Sequence, residues 1–325
     1  MYLSSANQSY LLEQCQADAI FSEQLIQPLW SDYGQLVRVN LIGGEHGSVI
    51  VKQIDWAKRR SNVRGWGNDL SHQRKLRSYQ VESSWYQGLA KDSPVTVPKV
   101  IASHQDDTQL LLILEDLAPL GFTQVLRQAK GETITSVIDW LAEFHGFYLG
   151  QTPTGLWEQG CYWHLQTRPD EWQAMAEGKL KQAASDIDAA LRSCQYQTIV
   201  HGDAKLANFC FSKDHTQVAA VDFQYIGAGV GVQDLAYFIS SVFNEYEAEQ
   251  YEEQILSRYF ERLNQAIEQY HPNINAAEVE REWRQLYCVA WADFCRFLQG
   301  WSPQHWKLTP YSQAQTQRAL ELLGW

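Results

Sequence analysis

An α+β fold of two parts, a small antiparallel sheet leading into a larger, mainly helical body, is what this 325-residue chain predicts. Three observations carry it. Leu36-Val37-Arg38-Val39-Asn40-Leu41 and Ser48-Val49-Ile50-Val51-Lys52 are short β-branched runs joined across Gly43-Gly44-Glu45-His46-Gly47, the pattern of a hairpin. Further short runs at 198–200, 209–211 and 217–221 read as strands, the last two around a turn at Lys213-Asp214-His215. From Tyr246 onward the apolar spacing turns helical over about 246–270, 277–299 and 310–323, with Pro272, Pro303 and Pro310 near the ends.

Composition narrows the partners. A hydrophobic content of 45% supports a substantial core. The net charge of −12 argues against a general nucleic-acid binder, which needs clustered Lys and Arg, and favours a neutral or cationic small molecule. The amino terminus has no basic, apolar leader pattern, and the run from Leu110 to Leu114 is too short to span a bilayer, so a soluble, cytoplasmic protein with no membrane partner is expected. Six cysteines without a Cys-x-x-Cys pair read as reduced, structural thiols.

In chain order, residues 8–27 read as a helical lead-in. Ser31-Asp32-Tyr33-Gly34-Gln35, ahead of the first clear strand, holds a single glycine and is either a phosphate-covering loop or a plain β-turn. Seven basic residues between Lys58 and Arg77 (Lys58, Arg59, Arg60, Arg64, Arg74, Lys75, Arg77) form a solvated or phosphate-facing segment, and Gly65-Trp66-Gly67 marks a loop before a helix starting near Ser71. On that helix Leu76, Tyr79, Ser83, Tyr86 and Leu89 recur at helical spacing with Glu82 among them. A carboxylate on a buried face requires a partner, and strand-borne Lys52 is the candidate. The strand from Gln109 to Leu114 exits into Glu115-Asp116-Leu117-Ala118-Pro119. Ile134, Val137, Ile138, Leu141, Phe144 and Tyr148 define an amphipathic helix ending at Gly150, with His145 on its apolar side as a core histidine, and 170–192 reads as another helix.

The chemistry concentrates in His201-Gly202-Asp203-Ala204-Lys205-Leu206-Ala207-Asn208-Phe209 and in Val221-Asp222-Phe223-Gln224. The strands around them place Asp203 and Asn208 in a loop and Asp222 at a strand end. A carboxylate to accept the proton of an attacking hydroxyl, with a carboxamide and a second carboxylate to hold Mg²⁺ on nucleotide phosphates, is the set phosphoryl transfer needs. The step from Asp203 to Asn208 matches the protein-kinase catalytic loop, with Gly202 where a protein kinase has Arg. The His-Gly-Asp form resembles the aminoglycoside phosphotransferase and choline kinase superfamily. Asp222-Phe223-Gln224 and Leu114-Glu115-Asp116-Leu117 look most like its ecdysteroid kinase-like (CHK) branch.

That resemblance implies a two-lobed, protein-kinase-like fold, with residues 1–116 as the amino-terminal lobe and 117–325 as the carboxy-terminal lobe. It implies an ATP- and Mg²⁺-dependent kinase acting on a small-molecule hydroxyl. By its motifs Asp203 is the base, Asn208 and Asp222 hold metal, and Lys205 approaches the transferring phosphoryl group, although many ecdysteroid kinase-like proteins have an aromatic residue there. Lys52 reaches the α- and β-phosphates, clamped by Glu82. Glu115 and Leu117 offer main-chain hydrogen bonds to adenine, Gly34 belongs to the phosphate-covering loop, and Asp234 in Gln233-Asp234-Leu235-Ala236 braces the catalytic loop. Trp283, Tyr287, Trp291 and Phe294 line one helical side, as core or as an acceptor pocket. Two rivals remain: a nucleotide-binding regulator without turnover, suggested by the atypical glycine loop, and a dinucleotide-binding protein using Gly227-Ala228-Gly229-Val230-Gly231, whose third glycine comes too early for that fingerprint.

Overall fold

The computed structural model describes residues 1–29, 32–56 and 69–325. Ser31 of the proposed glycine loop, the basic residues Lys58, Arg59, Arg60 and Arg64, and Gly65-Trp66-Gly67 lie outside the described residues. The chain divides into two compact units, Met1–Asp92 with Val97–Thr123, and Ser93–Thr96 with Gln124–Trp325.

The first unit is built on an antiparallel sheet of β1 (Ala19–Pro28), β2 (Gly34–Ile42), β3 (Ser48–Asp55), β4 (Val100–Gln105) and β5 (Gln109–Glu115), ordered β1-β2-β3-β5-β4. The expected hairpin is β2 and β3, turned at Gly43 and Gly44, whose φ of 75° and 74° suit glycine. Period-2 alternation gives the sheet two apolar faces. Val37, Val39, Val49, Val51, Leu111 and Ile113 pack on one side with Leu11 and Cys15 of α1 (Ser5–Cys15). Ile54 and Leu110 pack on the other with Tyr79 of α2 (Asp69–Gln87). Lys52, two residues from Ile54, therefore faces α2.

The lead-in departs from expectation. It is the short helix α1, capped by Ser4, and then the strand β1. Gln16 turns left-handed at φ 50° and Ala17 N–H bonds Leu12 O, which ends the helix. β1 is an edge strand with Phe21, Leu25 and Ile26 exposed, so it has no buried face to impose an alternating pattern on its sequence.

The second unit contains β6 (Gln124–Val125), α3 (Glu132–Phe147), α4 (Pro169–Ala174), α5 (Lys179–Gln182), α6 (Ala184–Arg192), β7 (Thr198–Val200), β8 (Phe209–Phe211), β9 (Val218–Ala220), β10 (Gly227–Gly229), α7 (Gly231–Val242), α8 (Glu245–Tyr270), α9 (Ala276–Trp301) and α10 (Pro310–Leu322). The helix expected over 170–192 is three pieces, because Met175 turns extended and Gly178 interrupts the run before α5. Two small sheets, β6-β8-β9 and β10-β7, hold the loops that carry Asp203 and Asp222. Among the described residues no helix is long and apolar enough to cross a membrane.

Candidate active site

The loop after β7 is shaped by Gly202. Its φ is 79°, and a Cβ there would lie 2.0 Å from Tyr225 O and 2.7 Å from Cys161 N. Tyr162 N–H also donates to Gly202 O at 3.1 Å. The chain segments around the loop approach too closely for any side chain, which is the physical reason glycine stands where a protein kinase carries arginine.

Asp203 is 7% exposed, and its two carboxylate oxygens differ. Oδ2 accepts hydrogen bonds from Lys205 Nζ at 2.9 Å and Asn208 Nδ2 at 3.0 Å. Oδ1 is buried and accepts none among the described residues. Asn208 Nδ2 donates to Asp203 O as well, at 2.7 Å, which fixes the amide and turns its Oδ1 away from Asp203. Burial works against the Lys205 ammonium, but the Asp203 and Asp222 carboxylates outweigh it and raise its pKa. Val221 N–H donates to Asn208 O at 2.9 Å and so brings Asp222 beside the loop. Asp222 has a φ of 67°, and its Oδ1 accepts from Gln224 Nε2 at 2.5 Å. Asp203, Lys205, Asn208 and Asp222 thus meet in one place.

The loop is braced from beneath by α7 and α3. Asp234, wholly buried, accepts from His201 N–H at 2.5 Å and Gly202 N–H at 2.9 Å. His145 Nε2 donates to Asp234 Oδ2 at 3.1 Å, while its Nδ1 faces the Tyr259 hydroxyl at 2.8 Å. His145 O accepts from Thr198 Oγ1 at 2.7 Å. His201 Nδ1 accepts from Asp203 N–H at 3.2 Å, which leaves Nε2 to donate to Val221 O at 3.1 Å. Ser241 Oγ accepts from Leu206 N–H at 3.0 Å, a contact that no motif signalled.

In the first unit Lys52 Nζ and Glu82 Oε2 lie 2.6 Å apart, with side chains 6% and 3% exposed, an ion pair removed from water. Glu115 closes β5, and its N–H donates to Lys99 O at 2.8 Å, so that N–H is not left to serve an adenine. Leu117 N–H has no acceptor among the described residues. Gly34 opens β2, where a Cβ would lie 1.9 Å from Gln53 O; strand pairing alone accounts for glycine there. Gly34 pairs with Ile54 and Glu115 with Val49, so they lie at opposite ends of β3, about 17 Å apart at strand spacing, with Lys52 between. Sequence reasoning passed over Asp116. Its carboxylate takes Arg38 Nε at 2.7 Å and Nη2 at 3.2 Å, Ser48 Oγ at 2.7 Å and Ala118 N–H at 3.1 Å, pinning the exit of β5 to β2 and β3. The signal was there, a second acid at the exit of an apolar strand, without a partner in view.

Two open readings close. Trp283, Tyr287, Trp291 and Phe294 are at most 3% exposed, so the stripe is core, with Trp291 also at the wall of a small surface depression. Gly227–Gly229 is a strand paired with β7, and a Cβ at Gly231 would lie 2.2 Å from the Tyr259 hydroxyl and 2.7 Å from His145 Nδ1. The glycine run serves packing and is not a phosphate loop.

A model of the phosphotransferase enzyme family matches residues 26–272. No curated protein matches the chain. Similar solved structures include a putative fructosamine-3-kinase from Haemophilus somnus 129PT (14% identity, 98% of this chain and 97% of that one, TM-score 0.47). They also include an aminoglycoside phosphotransferase from Streptomyces rimosus (12%, 91% and 99%, 0.48) and choline kinase from Cryptosporidium parvum Iowa II (10%, 92% and 88%, 0.49). With a family match that spans most of its length and takes in both the Lys52–Glu82 pair and the Asp203 loop, the chain belongs to the phosphotransferase enzyme family.

Proposed function

We propose that this protein is an ATP-dependent kinase that phosphorylates a hydroxyl group of a small molecule. The observation that carries the reading is the asymmetry of Asp203: one oxygen is held by Lys205 and Asn208, while the other is buried and has no hydrogen-bond donor within bonding geometry among the described residues. An acceptor hydroxyl donates to Oδ1 and gives up its proton there as its oxygen bonds to the γ-phosphorus; the bond to the β,γ-bridging oxygen breaks and ADP leaves with the electron pair. Lys205 offsets charge on the transferring group while keeping Asp203 oriented. In the first unit the Lys52 ammonium, set by Glu82, holds the α- and β-phosphates, the Glu115 carbonyl and Leu117 N–H take adenine, and the turn before Gly34 covers the phosphates.

Asn208 Oδ1 and the Asp222 carboxylate are oxygen donors suited to Mg²⁺, which takes few protein ligands and completes its shell with phosphate oxygens. Bound there, the ion would neutralise phosphate charge. Within the family, the ecdysteroid kinase-like branch is supported by Asp222-Phe223-Gln224 and by the Leu114–Leu117 stretch. The test is a pair of variants. Asp203→Asn should lower kcat by about 10²- to 10⁴-fold with near-normal Mg·ATP affinity by calorimetry, whereas Asp222→Ala should weaken Mg·ATP binding as well. Normal turnover in Asp203→Asn removes the mechanism, and equal loss of binding in both makes Asp203 a metal ligand or a structural residue.

A further inference from the structure

Lys307 lies in the turn between α9 and α10, far along the chain from every motif above, and is 8% exposed. Its Nζ donates to Ser240 Oγ at 3.0 Å and sits over the rings of Tyr237 at 4.4 Å, Phe294 at 5.4 Å and Trp306 at 5.5 Å. Among the described residues it has no carboxylate partner within ion-pair distance. Ser240 answers one of the three N–H donors of this ammonium, and no acceptor for the other two is found among the described residues.

The position is close to the chemistry. Ser240 holds Lys307 and its neighbour Ser241 holds Leu206 N–H, so one stretch of α7 carries both the lysine and the catalytic loop. Tyr237, beneath the ammonium, faces Asp203; burial first, then the Tyr162 phenol and the Asp203 carboxylate, keep its own phenol protonated. Lys307 also feels the charges of Asp203 and Lys205. It lines a small surface depression with Ser240, Phe243, Asn244 and Trp306, which is 65% exposed. Glu245 at the same depression makes no ion pair with it among the described residues.

Burying an ammonium without a counter-charge is costly, and attraction to aromatic rings returns only part of that cost. A methionine would pack on the same rings at no such cost, so the charge serves something outside the fold. The rings also already surround a cation supplied by the chain, which leaves no aromatic cage for a substrate ammonium. We propose that the Lys307 ammonium is the recognition point for an anionic group, a carboxylate or a phosphate ester, on the acceptor alcohol. The substrate class is then an acidic alcohol, against the neutral or cationic one that the whole-chain charge of −12 favours. This rests on the kinase reading above and names the acceptor of that same site.

The test supplies the protein with Mg²⁺, [γ-³²P]ATP and a cell extract of small molecules sorted by ion exchange into anionic, neutral and cationic pools. Label should pass into a phosphoester in the anionic pool; prior phosphatase treatment abolishes transfer if the recognised group is a phosphate ester and spares it if it is a carboxylate. With the active component isolated, Lys307→Met should raise the acceptor KM by about ten- to a hundredfold, the range of a charge-assisted hydrogen bond. Its melting temperature should not fall, and Lys307→Arg should recover part of the affinity. Transfer confined to the neutral or cationic pool overturns the proposal. So does a Lys307→Met protein that melts lower with its acceptor KM intact, or one whose KM for ATP rises instead. Transfer in no pool overturns the kinase reading itself, and the acceptor class with it.

Discussion

Lys52→Met takes the ammonium out of a buried ion pair with Glu82, and breaking such a pair costs about 3–5 kcal/mol. The single variant should therefore lose thermal stability as well as ATP use. Lys52→Met with Glu82→Leu should regain much of the melting temperature and still fail to use ATP; wild-type kcat/KM for ATP in Lys52→Met would remove Lys52 from the nucleotide site. Lys307 makes a prediction in pH. Burial lowers its pKa from 10.5 to about 7, with Asp203 opposing that shift and Lys205 adding to it. Tyr237, Glu245 and His305 are the other titratable groups facing it. Below that value the lysine is charged in both folded and unfolded chains and the fold bears the whole penalty. Between about 7 and 10.5 the unfolded chain binds a proton that the folded chain does not, so this group's contribution to stability rises with pH. Lys307→Met should thus be most stabilised over wild type near pH 6, with the gain shrinking toward pH 10 in thermal melts. A gap independent of pH would mean that Lys307 keeps the same pKa in the folded and unfolded chains, so that burial does not penalise its charge.

At the scale of elements, Gly202→Ala should cost at least about 2 kcal/mol, because it combines a φ of 79° with a Cβ driven into the Tyr225 carbonyl. Since that contact sets the loop, kcat should fall along with stability. A variant of native stability and activity would show that the loop relaxes freely. The β2–β3 hairpin and helices α8 to α10 were legible because each buries one regular face, and that face is written into the spacing of its apolar residues. The lead-in was not, because β1 buries almost nothing, and its Phe21 and Leu25, four residues apart, fit a helical spacing. Over 170–192 the composition favours helix, and only Gly178 hinted at the interruption that makes α4, α5 and α6 separate pieces.

Across the whole molecule the reacting groups were easier to read than what surrounds them. Asp203, Lys205, Asn208 and Asp222 come from two short stretches whose order is set by the chemistry, so their meeting in space needed only the strands between them. Asp116 and Lys307 acquire meaning from residues that the fold brings near, Arg38 and Ser48 for one, Tyr237, Ser240 and Phe294 for the other. Spacing alone could not separate core from cage in the Trp283 stripe, because a helix face buried against protein and one open to a ligand have the same period. Charge misled in a related way: a total describes an average surface, whereas recognition depends on one ammonium in one place. The clasp of Asp234 on the His201 and Gly202 amides has a consequence for motion. Both protons end on a fully buried carboxylate that is itself tied through His145 to α8, so there is no small opening that would show them to solvent. In native-state deuterium exchange these two loop amides should belong with the slowest of the second unit, released only when α3, α7 and α8 come apart together, and an Asp234→Asn variant should move them into the fast class.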